Sequence, residues 1–290
     1  MRGVFALAML AGCGRVDFAA HALDAAADAD INALPWSTAQ PITILDSGGQ
    51  DADPTLTADE LEMYFSSDRP GVGATDIYRT VRGSTADAWG VPALVMELSS
   101  ASNDDSPEVS ADGLTLWQAS NRGGNYRIYV STRATRGDAW SAPAIVTELG
   151  AGAQNLAVTP NGLITVVEIS TGGNGDLYEA RRISPHDTWG TPVLIAELST
   201  ADNESSPTLD AEGLTIYFTS NRPGTQGTYD IWMATRSSLA TPFGAATRVD
   251  ALDTAGDDGN PFLTIDGHTM YWGSDRPPTQ GARDIWFATR

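Results

Sequence analysis

The chain has no lysine: all 17 of its basic residues are arginine, set against 37 acidic ones, for a formal net charge of −20. That balance argues against a nucleic-acid partner, because phosphate binding depends on basic clusters that displace counterions. It argues equally against adsorption to an anionic membrane surface. Cysteine is almost absent too, and with Cys13 alone no internal disulfide can form. The three histidines are His21 near the start, His186 before a Trp turn and His268 after an Asp-Gly turn, so none falls on the face where the acidic loops gather. No histidine-based metal cluster and no Ser/His/Asp order can be assembled from them. The apolar run from Gly3 to Leu10 is too short to span a bilayer. With 41% hydrophobic residues over 290 positions the chain can nevertheless bury a sizeable core, so its acidity belongs to a folded surface.

What fills the chain instead is a repeat. Five near-copies of one segment open at Pro54, Pro107, Leu156, Pro207 and Pro261, and a Trp-Gly-x-Pro type of turn keeps the same beat at Trp36, Trp89, Trp140 and Trp189, with Phe243 in the fifth place. A period of roughly 50 residues points to a propeller, a solenoid or an array. The copy from Ser206 to Arg236 divides into strands at its turns. Pro207 to Asp210 is extended, and Ala211-Glu212-Gly213 is a tight turn whose glycine can take positive φ. Leu214 to Thr219 is an apolar and β-branched run ended by Asn221-Arg222-Pro223-Gly224, and Ile231 to Thr235 follows as a third strand. The turn at Trp189 introduces a fourth type, Val193 to Leu198. Four short strands per repeat is the composition of a propeller blade.

The repeat resembles the TolB-type, WD40-like β-propeller repeat. The resemblance rests on Ser106-Pro107 with Ser110-Ala111-Asp112-Gly113, on Ser67-Asp68-Arg69, Ser120-Asn121-Arg122, Ser220-Asn221-Arg222 and Ser274-Asp275-Arg276, and on Asp76-Ile77-Tyr78, Asp230-Ile231-Trp232 and Asp284-Ile285-Trp286. The resemblance implies protein partners in the bacterial envelope, on a repeat that serves many unrelated functions, while the count of five copies gives an all-β, five-bladed propeller of four-stranded blades. The chain begins with a fourth-strand unit, Trp36 to Leu45, and stops at a third strand, Asp284 to Arg290. The N-terminal strand is therefore expected to complete the last blade and close the ring. Tyr64, Phe65, Trp117, Tyr217, Phe218, Tyr271 and Trp272 recur at matching positions and are expected to form the core between sheets. The third copy departs most, with Val166 and Val167 in the aromatic positions and Thr171-Gly172-Gly173 in place of Ser-Asn-Arg.

Residues 1–13 resemble a bacterial lipoprotein signal: Arg2 precedes a short apolar stretch that ends in Leu10-Ala11-Gly12-Cys13. Lipidation at Cys13 is expected, with residues 14–35, rich in Ala and Asp, as a tether and 36–290 as the propeller. The location implied is the cell envelope, on the periplasmic side of the outer membrane or the cell surface.

Charge gathers where the chain enters each blade, at Asp51 and Asp53, Asp104 and Asp105, Asp202 and Glu204, and Asp257 and Asp258; the third blade has Gln154 and Asn155. Such a ring of carboxylates offers oxygen ligands to Ca²⁺. The competing reading has the acids capping loop amides and pairing with the repeated arginines, with Arg69 assigned to Asp76, Arg222 to Asp230 and Arg276 to Asp284. In the second blade Arg122 is followed by Arg127 instead of an acid, and in the third Asp176 has no matching arginine, so unpaired charges point to a ligand site between these two blades. The reading that follows is a non-catalytic scaffold that binds an envelope protein or a glycan. A carbohydrate-active hydrolase or lyase on the same scaffold is the alternative, and it needs a break in the fivefold repeat that supplies acids in unequal roles.

Overall fold

The computed structural model describes residues 31–290 except residue 171. The expected signal, Cys13 and most of the tether lie outside the described residues, as does Thr171. Five antiparallel four-stranded sheets make up the protein. Blade one holds β2 (Asp51–Leu56), β3 (Glu62–Ser67), β4 (Asp76–Val81) and β5 (Ala93–Leu94), where β1 is Gln40–Pro41. Blade two holds β6 (Asp104–Val109), β7 (Thr115–Ser120), β8 (Arg127–Thr132) and β9 (Ala144–Ile145). Blade three holds β10 (Ala153–Val158), β11 (Ile164–Ser170), β12 (Gly175–Arg181) and β13 (Val193–Leu194). Blade four holds β14 (Glu204–Leu209), β15 (Thr215–Ser220), β16 (Asp230–Thr235) and β17 (Thr247–Arg248). Blade five holds β18 (Asp258–Leu263), β19 (Thr269–Ser274) and β20 (Asp284–Thr289), with β1 as its fourth strand.

The chain ends are joined as the turn count predicts. Gln40 pairs with Phe287 and Pro41 with Trp286, and Ile42 N–H donates to Ile285 O at 2.9 Å. Pro41 is tolerated because an outer-edge strand leaves one side of its backbone unpaired. The fourth strands are shorter than expected: β13 ends at Leu194 and not Leu198, and β1 at Pro41 and not Leu45. The next residues turn inward instead, so that Leu45, Leu98, Leu149, Leu198 and Leu252 are almost wholly buried under their blades. The 31–35 end of the expected tether is also docked, since Asn32 bonds to Thr215 and Tyr217 of blade four.

Each apolar cluster of the core lies between neighbouring blades, as the recurring aromatics predict. One joins Tyr64 of blade one to Trp140 of blade two, edge-to-face at 5.9 Å between centroids. Tyr64, Phe65, Tyr217, Phe218 and Trp272 are fully buried. Near the ring axis each first strand carries a bulge two residues in. There Asp53, Ser106, Ser206 and Asn260 take φ of 53°, 48°, 45° and 56°. The hairpin glycine expected at Gly213 has φ 69°, whereas blade one places Glu60 there at 56°.

Candidate functional site

The acids that open the first strands fall into two groups with different chemistry. Asp51, Asp104, Glu204 and Asp258 are fully buried. They pair with Arg69 at 2.5 Å, Arg122, Arg222 at 3.1 Å and Arg276 at 2.5 Å. Each arginine also donates to the serine two residues before it and to a buried leucine's carbonyl, that of Leu45, Leu98, Leu198 or Leu252. Each guanidinium lies about 5 Å above an aromatic ring, Tyr78, Tyr129, Trp232 or Trp286. Four blades share this latch, and blade three replaces its acid and serine with Ala153 and Ile169; the strand register thus puts the counterpart of the serine two residues earlier than the Thr171-Gly172-Gly173 alignment read from the sequence. A device repeated around the ring belongs to the architecture, not to a site.

The arginine pairing differs from the one the sequence suggests. Arg69, Arg222 and Arg276 turn to the first strand because β2 and β3 place Asp51 opposite Ser67, with the equivalent register in the other blades. Asp76, Asp230 and Asp284 instead accept loop amides, from Val72 at 2.6 Å and Gly73 at 2.9 Å, from Gln226, and from Gln280 at 2.8 Å. Arg122 is held by Asp104. Arg127 opens β8 opposite Ser120 and has no side-chain partner among the described residues. Asp202 is half-buried, and Asp257 pairs with Arg283 at 2.6 Å.

The second group breaks the repeat. At the bulge, the five blades present Asp53, Ser106, Asn155, Ser206 and Asn260 to the channel, together with the following Pro54, Pro107, Leu156, Pro207 and Pro261. Only blade one supplies a carboxylate there. One residue earlier, Asp105 stands where the other blades have Ala52, Gln154, Ser205 and Gly259. On the second strand, Glu168 stands where they have Ser66, Ala119, Thr219 and Gly273. Three carboxylates thus come from three blades at three different positions, and no other blade duplicates any of them.

These three share one electrostatic neighbourhood. Burial, with Asp53 as the foremost nearby charge, pushes Asp105 up to about 7. Burial also pushes Glu168 up to about 7, with Asp53 adding to it. Asp53 is raised by burial as well, against the opposing pull of its bonds to Ser66 and Asn260 and of the Arg283 charge. The supporting groups are polar. Tyr126 donates to Asp105 at 2.8 Å, Ser66 to Asp53 at 2.5 Å, Asn155 to Glu168 at 2.5 Å, and Arg283 to Asn260 at 2.5 Å. Asn260 donates to Asp53 and, at 3.0 Å, to Ser206. At this level the channel narrows to a cavity of about 30 Å³, lined by the bulge residues and the residues that follow them, which holds about one water. A ligand would therefore meet these groups from the mouth and not from within.

Deeper in the channel Glu108 accepts Thr55 Oγ1 and Val158 N–H, both at 3.0 Å, and ties three blades together. Burial pushes it to about 7. Sequence reading singled out Asp53 and Asp105 but missed Glu168, Tyr126, Arg283 and Glu108. The signal for Glu168 was a lone acid in the apolar run of the third copy, at a position where other copies hold small residues. Among the described residues no group of three or more His, Cys, Asp or Glu could hold a metal ion, and no helix is long and apolar enough to cross a membrane.

No protein-family model matches the chain, and no curated protein does. Solved structures do match. TolB from Acinetobacter baumannii aligns with TM-score 0.56 at 16% identity, over 85% of this chain and 56% of that one. The catalytic domain of the GH62 α-L-arabinofuranosidase from Coprinopsis cinerea aligns with TM-score 0.59 at 14% identity, over 88% and 96%. A thermostable family-43 glycoside hydrolase gives TM-score 0.59 at 12% identity, over 86% and 91%. The chain spans little more than half the length of the Acinetobacter TolB. At such identities the likeness is one of fold, a TolB-like five-bladed β-propeller.

Proposed function

We propose that the channel mouth binds a hydroxyl-rich ligand, a glycan, with Asp53, Asp105 and Glu168 as the recognising groups. The observation that carries this reading is the break in the repeat: the acids that hold the blades recur, and these three do not. Carboxylates, amides, a phenol and a guanidinium converge there, a set suited to sugar hydroxyls and poor in the apolar anchors that dominate protein interfaces. Raised carboxyls that gather in a cleft are candidates for a functional site, and here geometry separates them from Glu108, which ties blades together. The test is binding of a panel of neutral and acidic oligosaccharides by calorimetry, with wild type and the Asp53→Asn/Glu168→Gln double variant. Binding by wild type that the double variant loses supports the site. Equal binding by both, or none by wild type, removes it.

Cleavage of a glycosidic bond is the second reading, favoured by the raised carboxyls. A group pushed to about 7 is partly protonated at neutral pH, the state a general acid needs, while a neighbour in its ionised form can act as base or nucleophile. The fold-level neighbours include two glycoside hydrolases. New reducing ends that appear with wild type but not with Glu168→Gln would establish it. We place the protein in the bacterial envelope, anchored by lipid at Cys13. A mature chain that mass spectrometry finds unmodified at Cys13 would overturn that placement.

A further inference from the structure

One arginine recurs after every third strand and stacks on the aromatic ring of the turn. Arg82 covers Trp89 at 4.3 Å, Arg133 covers Trp140 at 4.4 Å, Arg182 covers Trp189 at 4.0 Å, Arg236 covers Phe243 at 4.4 Å and Arg290 covers Trp36 at 4.4 Å. In four blades its outer nitrogens cross to a side chain of the preceding blade. Arg133 reaches Glu62 at 2.7 Å, Arg236 reaches Glu179 at 2.7 Å, Arg290 reaches the Tyr217 hydroxyl at 3.0 Å, and Arg82 bonds to Tyr271. Arg182 does not cross. Nε donates to Gly162 O at 2.6 Å and Nη1 to Asp187 O at 3.2 Å, both in its own blade. Blade two faces it with Thr115 and Trp117, where blade one has Glu62 and Tyr64.

A groove of about 1000 Å³ opens at that interface, lined by Thr115, Trp117, Val130, Ile145, Arg182 and Trp189 among others. The equivalent groove between blades four and five is filled by the chain itself. There Ile31 packs beside Gly267. Asn32 Nδ2 donates to Thr215 Oγ1 at 3.1 Å, and Asn32 Oδ1 accepts Tyr217 Oη at 3.2 Å and Arg290 Nη2 at 3.1 Å. Thr115, Gly162, Arg182 and Trp189 hold the positions of Thr215, Gly267, Arg290 and Trp36. In the groove between blades two and three, Nη2 of Arg182 has no acceptor among the described residues.

We infer that the groove between blades two and three docks a short peptide of a partner protein, with a branched aliphatic residue followed by an asparagine-like amide, seated as Ile31-Asn32 is between blades four and five. The aliphatic side chain lies beside Gly162, as Ile31 lies beside Gly267, against the apolar lining of the groove. The amide donates to Thr115 Oγ1 and accepts from Arg182 Nη2. This site is on the blade interface and is independent of the reading given for the channel mouth.

The probe is a capped, fluorescent Ile-Asn-Ala-Leu peptide, the sequence of residues 31–34, carrying a photo-reactive benzophenone. Anisotropy should show saturable binding to the full chain, and cross-linking should mark fragments that contain Trp117, Ile145 or Trp189. Thr115→Glu rebuilds the Glu62 to Arg133 pairing at this interface, so it should close the groove, abolish binding and keep or raise the melting temperature. Thr115→Val keeps the shape and removes the hydroxyl, and should weaken binding about tenfold, the scale of one lost hydrogen bond. No saturable binding by wild type, cross-links confined to the groove between blades four and five, or binding unchanged in both variants would each overturn the assignment.

Discussion

Glu108→Gln should stabilise the protein at alkaline pH and leave it nearly unchanged at acid pH. Burial in the channel pushes this carboxyl from its ordinary 4.5 to about 7, so the folded state binds its proton more tightly than the unfolded state does. Between those two values the folded protein retains a proton that the unfolded chain has released, and stability falls as pH rises. Above the folded value the loss is complete and constant. A difference of about 2.5 pH units corresponds to roughly 3 kcal/mol, and partial contact with channel water screens this to about 2 kcal/mol. Glutamine keeps an acceptor for Val158 N–H and a polar end for Thr55, the two partners that Glu108 now has. It never ionises. The variant should therefore melt about 4–8 °C above wild type at about pH 8, for a chain of this size, and within about 2 °C of it at about pH 4.5. Calorimetry of both proteins at the two pH values makes the comparison, and the difference between variant and wild type cancels the titration of the other carboxyls. A gap that is the same at both pH values, or a variant that is less stable at alkaline pH, would refute the reasoning.

Arg122→Ala should cost about 3–5 kcal/mol in urea denaturation, because it leaves the fully buried Asp104 unpaired. Removal of residues up to Leu45 should lower the melting temperature and expose the edge of β20 to protease, since it strips the strand that bonds Pro41 and Ile42 to Trp286 and Ile285. Added Ca²⁺ at millimolar concentration should leave the melting temperature unmoved, because four of the entering acids are already neutralised by arginine; a rise would point to a cation site among the acids that remain.

The fold was legible because the repeat states it five times. Turn residues marked the strands, and the mismatch between first and last units fixed the closure of the ring. Strand ends were less legible: the apolar residues of Val193 to Leu198 read as one strand, but only two pair, and the rest turn to bury Leu198. Proximity along the chain misled the arginine assignment. Arg69 is close in sequence to Asp76, yet sheet pairing brings it Asp51 from the strand before. The acids of the channel mouth were partly visible. Asp53 and Asp105 were singled out with their repeated neighbours, and the distinction between Asp104, which recurs, and Asp105, which does not, lies in the register of the bulge. Glu168 could be placed beside them only by aligning the third copy strand by strand, against the loss of its aromatics.

Asp104 and Asp105 are adjacent on one strand, and they test most directly whether the repeated acids build the ring while the unrepeated ones serve a ligand. Asp104→Asn and Asp105→Asn should shift the melting temperature in opposite directions at about pH 8. The first removes half of a buried ion pair and should lower it. The second removes a buried charge repelled by Asp53 while keeping an acceptor for Tyr126, and should raise it. A fall of similar size in both variants would contradict the division and return Asp105 to the architecture.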